Sequence, residues 1–338
     1  MTAQYIRYLA IDIDGQRFME PQRDHMLRTV FSVEVMPYNS MSFADIRIFN
    51  LSADTVVENG SNIVLSAGYR DNFDVIFVGT VINSFKERDG VDGVSRLLCR
   101  SSSISQRGSI SSSYGPGSKL TDVLLDLARG WPAKLDIDLT QFKDEPEFIS
   151  GYSINGDIPS ELDSLGKRFG FSWIPERGAI VISRDGIERN TEVIEISKNT
   201  GMVGYPEVNR GDQVLGVYVV ARINPAIRSS SRINVISKYS TYNTGNVFVN
   251  EVGGDVSANG EYNVLWLRYE GDTHGDEWNV EIDALRPGTA PEVELVSSEE
   301  LENNTANGKL VWGARVSQDF RNKVREIAKR QRFNPNHL

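Results

Sequence analysis

Apolar and polar residues alternate with period two through most of the first third of the chain. The run FADIRIFNLS at 43–52 sets Ile46 and Ile48 against Asp45 and Arg47 and then meets the turn-prone Asn50-Leu51-Ser52. Two β-rich runs follow at 63–69 and 75–85, and 94–100 alternates again. They break at Asn59-Gly60 and Asp89-Gly90, pairs that favour tight hairpin turns. A helical period is nearly absent, so residues 1–104 are expected to be all-β. The serine-rich stretch 101–118, with Gly115-Pro116-Gly117 near its end, reads as a flexible crossing between domains.

The period then changes. Leu120, Val123, Leu124, Leu127 and Ala128 share one helical face, which predicts a helix over 119–129 capped by Ser118 and ended by Gly130. A second helix is expected from Pro159, burying Leu162, Leu165 and Phe169 and stopping at Gly170. Two short strands, FSWI and AIVI, flank Glu176-Arg177-Gly178. Together they predict a small α+β domain at about 118–200, inserted between β-rich parts. Strand patterning returns at 213–222 and 232–236, then at 260–269 and 278–285 as a hairpin.

The expected fold class is therefore mainly β with an α+β insertion: two tube-like β-barrel domains, the small α+β domain between them, and a C-terminal amphipathic helix. The boundaries fall at 1–104 for the first barrel and 105–204 for linker plus α+β domain. The second barrel takes 205–286, an acidic linker 287–308, and the C-terminal helix 309–338. The linker carries Pro287-Gly288, Ala290-Pro291 and five glutamates without a positive charge. In the last segment Phe320, Val324, Ile327 and Ala328 form an apolar stripe opposite basic residues, with Ser317 as cap.

Composition narrows the classes. The chain has 338 residues, 40% of them hydrophobic, enough for packed cores in two or three domains. No apolar run reaches the roughly 18 residues of a membrane helix. Acids within the first apolar stretch exclude a signal peptide there. The single cysteine, Cys99, excludes an internal disulfide and reads as a buried small hydrophobe. The net charge is −10, yet 309–338 holds eight Lys or Arg against two Asp or Glu, leaving −16 on 1–308. That acidity repels nucleic acid from most of the molecule. It either serves solubility or lines a passage along which DNA slides without sticking.

Candidate chemistry is sparse. Asp272, His274 and Asp276 make a D-x-H-x-D pattern that could hold a metal, but the flanking glycines favour a hairpin turn. Arg210-Gly211-Asp212 reads as turn chemistry rather than an adhesion tripeptide. Asp12 and Asp14 read as a polar strand face ending in a turn, not as an acid/base pair. There is no phosphate loop, dinucleotide fingerprint or zinc spacing. The five tryptophans, at 131, 173, 266, 278 and 312, are scattered rather than clustered as a sugar-binding platform would need. No catalytic, cofactor-binding or metal-ligating residue is assigned, and no cofactor.

The order IFNLS, polar link, VLSAGY, then IFVGTV resembles the first barrel of phage baseplate hub proteins. The phrase INPAIR at 223–228, followed by a strand and a hairpin with the turn GDTHGDEW at 271–278, resembles their second barrel. The resemblance covers roughly residues 1–290. It implies a structural homotrimer whose six barrels ring the tail axis. The implied partners are the tail tube protein, the central spike protein, other baseplate proteins and the tape-measure protein, with DNA passing through without sequence-specific binding. It implies a place in the virion baseplate, after assembly in the bacterial cytoplasm. The hub of a phage-like bacteriocin or secretion device is a related reading. The segment VSQDFRNKVREIAKRQRFNPNHL resembles the opening helix of the lysozyme or lytic transglycosylase domain that some hubs carry. On that alternative the chain is the scaffold of a peptidoglycan hydrolase whose acid glutamate lies beyond residue 338.

Overall fold

The computed structural model describes residues 6–19, 27–36, 42–52, 55–101, 108–130, 134–142, 147–184, 187, 189, 192–210, 215–242, 257–287, 294–295 and 314–315. The chain opens with β1 (Arg7–Ile13), β2 (Gln16–Met19), β3 (Thr29–Val35), β4 (Phe43–Phe49), β5 (Asn62–Tyr69), β6 (Asn72–Asp89) and β7 (Asp92–Ser101). The insertion contains β8 (Ser109–Tyr114), α1 (Leu120–Gly130), β9 (Lys134–Ile137), β10 (Tyr152–Asp157), α2 (Ile158–Phe169), β11 (Phe171–Glu176) and β12 (Ala179–Arg184). Then come β13 (Ile194–Ser197), β14 (Met202–Arg210), β15 (Leu215–Arg222), β16 (Arg232–Ile236), β17 (Thr241–Tyr242), β18 (Gly260–Asp272) and β19 (Trp278–Leu285). The architecture is mainly β with an α+β insertion, as the periodicity predicts.

The two strand-rich stretches form one 14-stranded sheet, ordered β17-β14-β15-β19-β18-β3-β4-β7-β6-β5-β1-β2, with β16 and β13 branching from β18. The two stretches are joined where β3 pairs antiparallel with β18. Across that seam Val35 faces Leu267, Val33 faces Tyr269 and Phe31 faces Gly271. All of these are core positions, so one hydrophobic cluster runs from Leu9 to Ala284 through both halves. Phe31 meets Trp278 edge-on, centroids 5.4 Å apart, directly over Gly271. Only a residue without Cβ fits there.

β6 explains how the first half curls. Its early residues pair with β5 up to Thr80, while 79–89 pair with β7. A bulge within the β7 pairing, between Val81 and Asn83, follows just after the β5 pairing ends. Tight turns close the hairpins where two successive residues take positive φ: Asp14-Gly15 (50° and 77°) and Arg177-Gly178 (51° and 76°).

The α+β insertion has its own core, in which Leu120, Val123, Leu124 and Leu127 of α1 meet Leu162 and Leu165 of α2 and Phe171 of β11. The start of α2 is Ile158, with Pro159 in its first turn. Asp157, which the pattern reading overlooked, accepts from the Ser160 amide as cap, and Gly170 ends the helix in the left-handed region.

Three expectations are corrected. Within the supposed crossing 101–118, residues 109–114 are a strand paired with β10. Ser112 and Tyr114 on that strand both donate to Asp126 of α1, while Ile110 and Tyr114 also pack on the insertion's core. Ser118 does not cap α1: its hydroxyl donates to the Gly115 carbonyl. Asp122 instead reaches back to the Lys119 amide at 3.4 Å. Finally, β13, which falls in the stretch assigned to linker and α+β domain, and the first residues of β14 belong to the large sheet. Gly204 and Pro206 hide β14, because the register slips between Val203 and Glu207 and destroys the alternation.

The stretch after 287 contributes one described feature, a two-residue pairing of Glu294–Leu295 with Ala314–Arg315. The amphipathic helix expected within 309–338, and the acid run around it, lie outside the described residues. No helix among the described residues is long and apolar enough to cross a membrane.

Candidate interaction surface

The fused sheet buries one face in the core and lines the other with charge. The pleat dictates this: residues alternating with Leu267 and Tyr269 on β18 are Trp266, Arg268 and Glu270. The register then builds rows across the strands. Glu281 of β19 sits opposite Arg268, and Arg268 opposite Glu34 of β3. Asn279, Glu270, Ser32 and Asp45 make the next row. Arg47 and Arg96 are partners on β4 and β7.

These charges are largely paired with one another. Arg268 reaches Glu281 at 2.8 Å and Glu270 at 3.1 Å. The Trp266 indole N–H donates to Glu34 at 3.0 Å. Arg96 holds Asp45 through two contacts of 2.7 and 3.0 Å. One guanidinium, that of Arg268, thus serves two carboxylates, with Glu34 near enough to feel its charge. Burial raises the Glu34 carboxyl above the usual range, while Trp266 and Arg268 pull it part-way back and Glu281 pushes it up again. Glu270 is raised in the same way, burial first. The face therefore carries both signs and is not the uniformly acidic lining that the net charge suggests.

A second polar region joins the insertion to the sheet. Glu176, at the end of β11, is 4% exposed and binds Arg189 at 2.7 Å. Arg189 also holds Asp136 at 2.6 Å. Burial alone would raise Glu176, but Arg189 and Arg177 overcome it and hold the carboxyl below its ordinary value. Beside this network opens a cleft of about 800 Å³, bordered by Asp74, Asp136, Gln141, Arg189, Pro225 and Arg228.

The sequence candidates fall as follows. Asp272 does not face His274 as a metal partner. Its carboxylate binds Arg28 at 2.8 Å and accepts the His274 backbone N–H at 2.9 Å, forming the hairpin turn. The His274 ring lies against the Thr273 hydroxyl. Arg7 binds the same turn through the carbonyls of Asp272, Gly275 and Asp276. Among the described residues no three His, Cys, Asp or Glu side chains are arranged to hold a metal. Asp12 pairs with Arg17, and Asp14 caps the Asn62 amide. Arg210 ends β14; Gly211 and Asp212 lie outside the described residues. Cys99 is buried, and burial pushes its thiol up to about 12, too high for a nucleophile at neutral pH. Sequence reasoning missed the polar rows, because the strands that form them are joined only by register, and across the β3–β18 seam Glu34 and Trp266 lie 232 residues apart.

No family model matches the sequence, and no curated protein resembles it at the sequence level. The fold does have known likenesses. It is similar to a tail protein from Neisseria meningitidis MC58, with TM-score 0.52 and 9% identity over 84% of this chain and 98% of that one. The two chains share a fold. The 43 kDa tail protein of prophage MuSo2 from Shewanella oneidensis is similar at TM-score 0.52 and 10% identity, over 83% and 98% of the two chains. The E. coli c3393 protein matches at 0.51 and 9%, over 82% and 77%. That protein is described as a component of the type VI secretion system with structural similarity to T4 tail proteins gp27 and gp5.

Proposed function

We propose that this chain is the structural hub of a phage tail baseplate: a trimeric ring that joins the tail tube to the central spike and lets DNA pass. The observation that carries this reading is the fused sheet. It buries one face, offers a self-paired polar face, and belongs to a fold shared with tail proteins. A passage for DNA needs a wetted surface without free positive charge, since unpaired arginines would bind phosphates. Here the part-exposed Arg96 is neutralised by Asp45 on the neighbouring strand. On this reading the α+β insertion sits outside the ring and leaves the passage open. Closed rotational symmetry is the usual state of oligomers, and a trimer with two related halves can meet a six-fold tube.

The test is mass in solution and in the particle. Light scattering of the purified chain, and reconstruction of the assembled tail, are expected to find three copies about one axis. A monomer in both overturns the reading. The equivalent hub of a secretion device is the second reading, favoured by the likeness to the E. coli c3393 protein. The hydrolase alternative rests on 316–338, outside the described residues. It expects the natural full-length product to clear cell walls and residues 1–338 to leave them intact.

A further inference from the structure

The charges around Arg268 do not balance. Its guanidinium donates to Glu281 at 2.8 Å, while its Nε lies 3.1 Å from Glu270 without making a hydrogen bond. Glu34, opposite it on β3, feels the same charge while its carboxylate accepts from Trp266. Two carboxylates thus touch one guanidinium and a third stands within its field, on three adjacent strands. Water screens them poorly here: 8% of the Arg268 side chain is exposed, 19% of Glu281 and 28% of Glu270.

Among the described residues, the other groups that bear on these carboxylates are acidic or neutral. Glu277, in the β18–β19 hairpin, pushes on Glu270. From β15, Tyr218 hydrogen-bonds to Glu281, and Asp283 stands opposite Tyr218 and Trp266. On β4, Phe43 faces Glu34, and Asp45 is held by Arg96. Burial raises the carboxyls of Glu34 and Glu270, Glu281 raises both further, and Glu34 adds its own repulsion to Glu270. Only Trp266 and Arg268 pull Glu34 back, and only Arg268 pulls Glu270 back.

We propose that the β3–β18 seam is a proton-operated joint: uptake of one proton by the Glu34–Glu270 pair relieves the repulsion around Arg268 and binds the two halves of the sheet more tightly. A carboxyl raised in the folded chain keeps its proton to higher pH than in the unfolded one. This contribution is therefore full below the ordinary glutamate value of about 4.3 and is lost as pH rises through the raised folded value. The effect falls on the join of the two strand-rich halves, because Glu34 and Glu270 lie on the two strands that form it.

The experiment is a carboxyl titration by NMR on the full chain, with glutamate labelled by carbon-13 at Cδ. The two resonances are assigned by their loss in Glu34→Gln and Glu270→Gln. Both are expected to titrate above the ordinary glutamate value. Each substitution is expected to lower the midpoint of the other residue, because the coupling is reciprocal. Amide exchange, corrected for its intrinsic pH dependence, is expected to slow several-fold in 30–35 and 267–272 as the pair takes up its proton. Residues 63–67 of β5 are expected to stay unchanged, and either substitution is expected to abolish the effect at the seam. Ordinary midpoints, midpoints indifferent to the partner's substitution, or seam amides that follow β5 through the titration overturn the proposal. Where one variant does not fold, the other still reports its partner's midpoint and the seam exchange, and decides the matter alone.

Discussion

Arg177, at the tip of the β11–β12 hairpin, donates to the hydroxyl of Tyr269 at 3.1 Å, 92 residues away in the seam strand β18. Tyr269 is fully buried and in turn donates to the Ile227 carbonyl. One phenol thus ties the inserted domain, the 223–231 loop and the large sheet together. Tyr269→Phe is expected to strand both partners and cost about 1–3 kcal/mol. Calorimetry would show this as a melting point lower by several degrees. An unchanged melting point would mean that the hydroxyl is not what couples the domains.

The Glu176–Arg189 pair is expected to matter more. It is buried on both sides, so Glu176→Gln leaves a buried cation with one partner fewer. Breaking such a pair costs about 3–5 kcal/mol. Limited proteolysis is expected to release the insertion from the sheet in the variant sooner than in the parent.

The same carboxyl sets a pH dependence. Glu176 is held below its unfolded value, so the unfolded chain binds its proton first as pH falls. Its contribution is full above the unfolded pKa, near 4.3 for glutamate. It fades as pH drops through the lower folded value. Chemical denaturation from pH 7 to 3 is expected to show a shallower acid loss in Glu176→Gln than in the parent.

Glu34 runs in the opposite sense. Burial raises its folded carboxyl, so the native state keeps a proton that the unfolded chain has already lost. Stability therefore falls as pH rises through the window from the unfolded to the raised folded value. Glu34→Gln keeps an oxygen to accept from Trp266 and removes that loss. It is expected to be at least as stable as the parent at pH 7, with the gain vanishing toward pH 3. A large loss at pH 7 would mean that the Glu34 charge is needed beside Arg268.

Gly271 lies beneath the Phe31–Trp278 pair. A Cβ there would stand 2.5 Å from the Phe31 ring and 2.8 Å from Trp278, both buried and unable to retreat. Overpacking of this kind costs about 1–3 kcal/mol. Gly271→Ala is expected to lower the denaturant midpoint and weaken the β3–β18 seam, seen as faster amide exchange in 30–35.

The sequence by itself determined the local elements. Period-two runs with their turn pairs give β4 to β7 and the β18–β19 hairpin. A helical stripe gives α1, and Pro159 with Gly170 frames α2. In each of these the signal and the structure it specifies lie within a few residues. The same periodicity identifies the core of both halves, since Ile46, Val219 and Ile282 are all buried as their alternation requires.

The tertiary structure alone decided how those pieces join. β3 and β18 pair across more than 230 residues of chain, and only their final proximity sets Glu34 beside Arg268. Neither residue carries a local sign of its partner, because a strand's pattern specifies which face is apolar and not which strand lies alongside. The β8 strand, held by hydroxyls, and the bulged β14 were hidden for the complementary reason. Their places are fixed largely by hydrogen bonds to Asp126 and by pairing with β15, and the few apolar residues they bury do not recur as a local alternation.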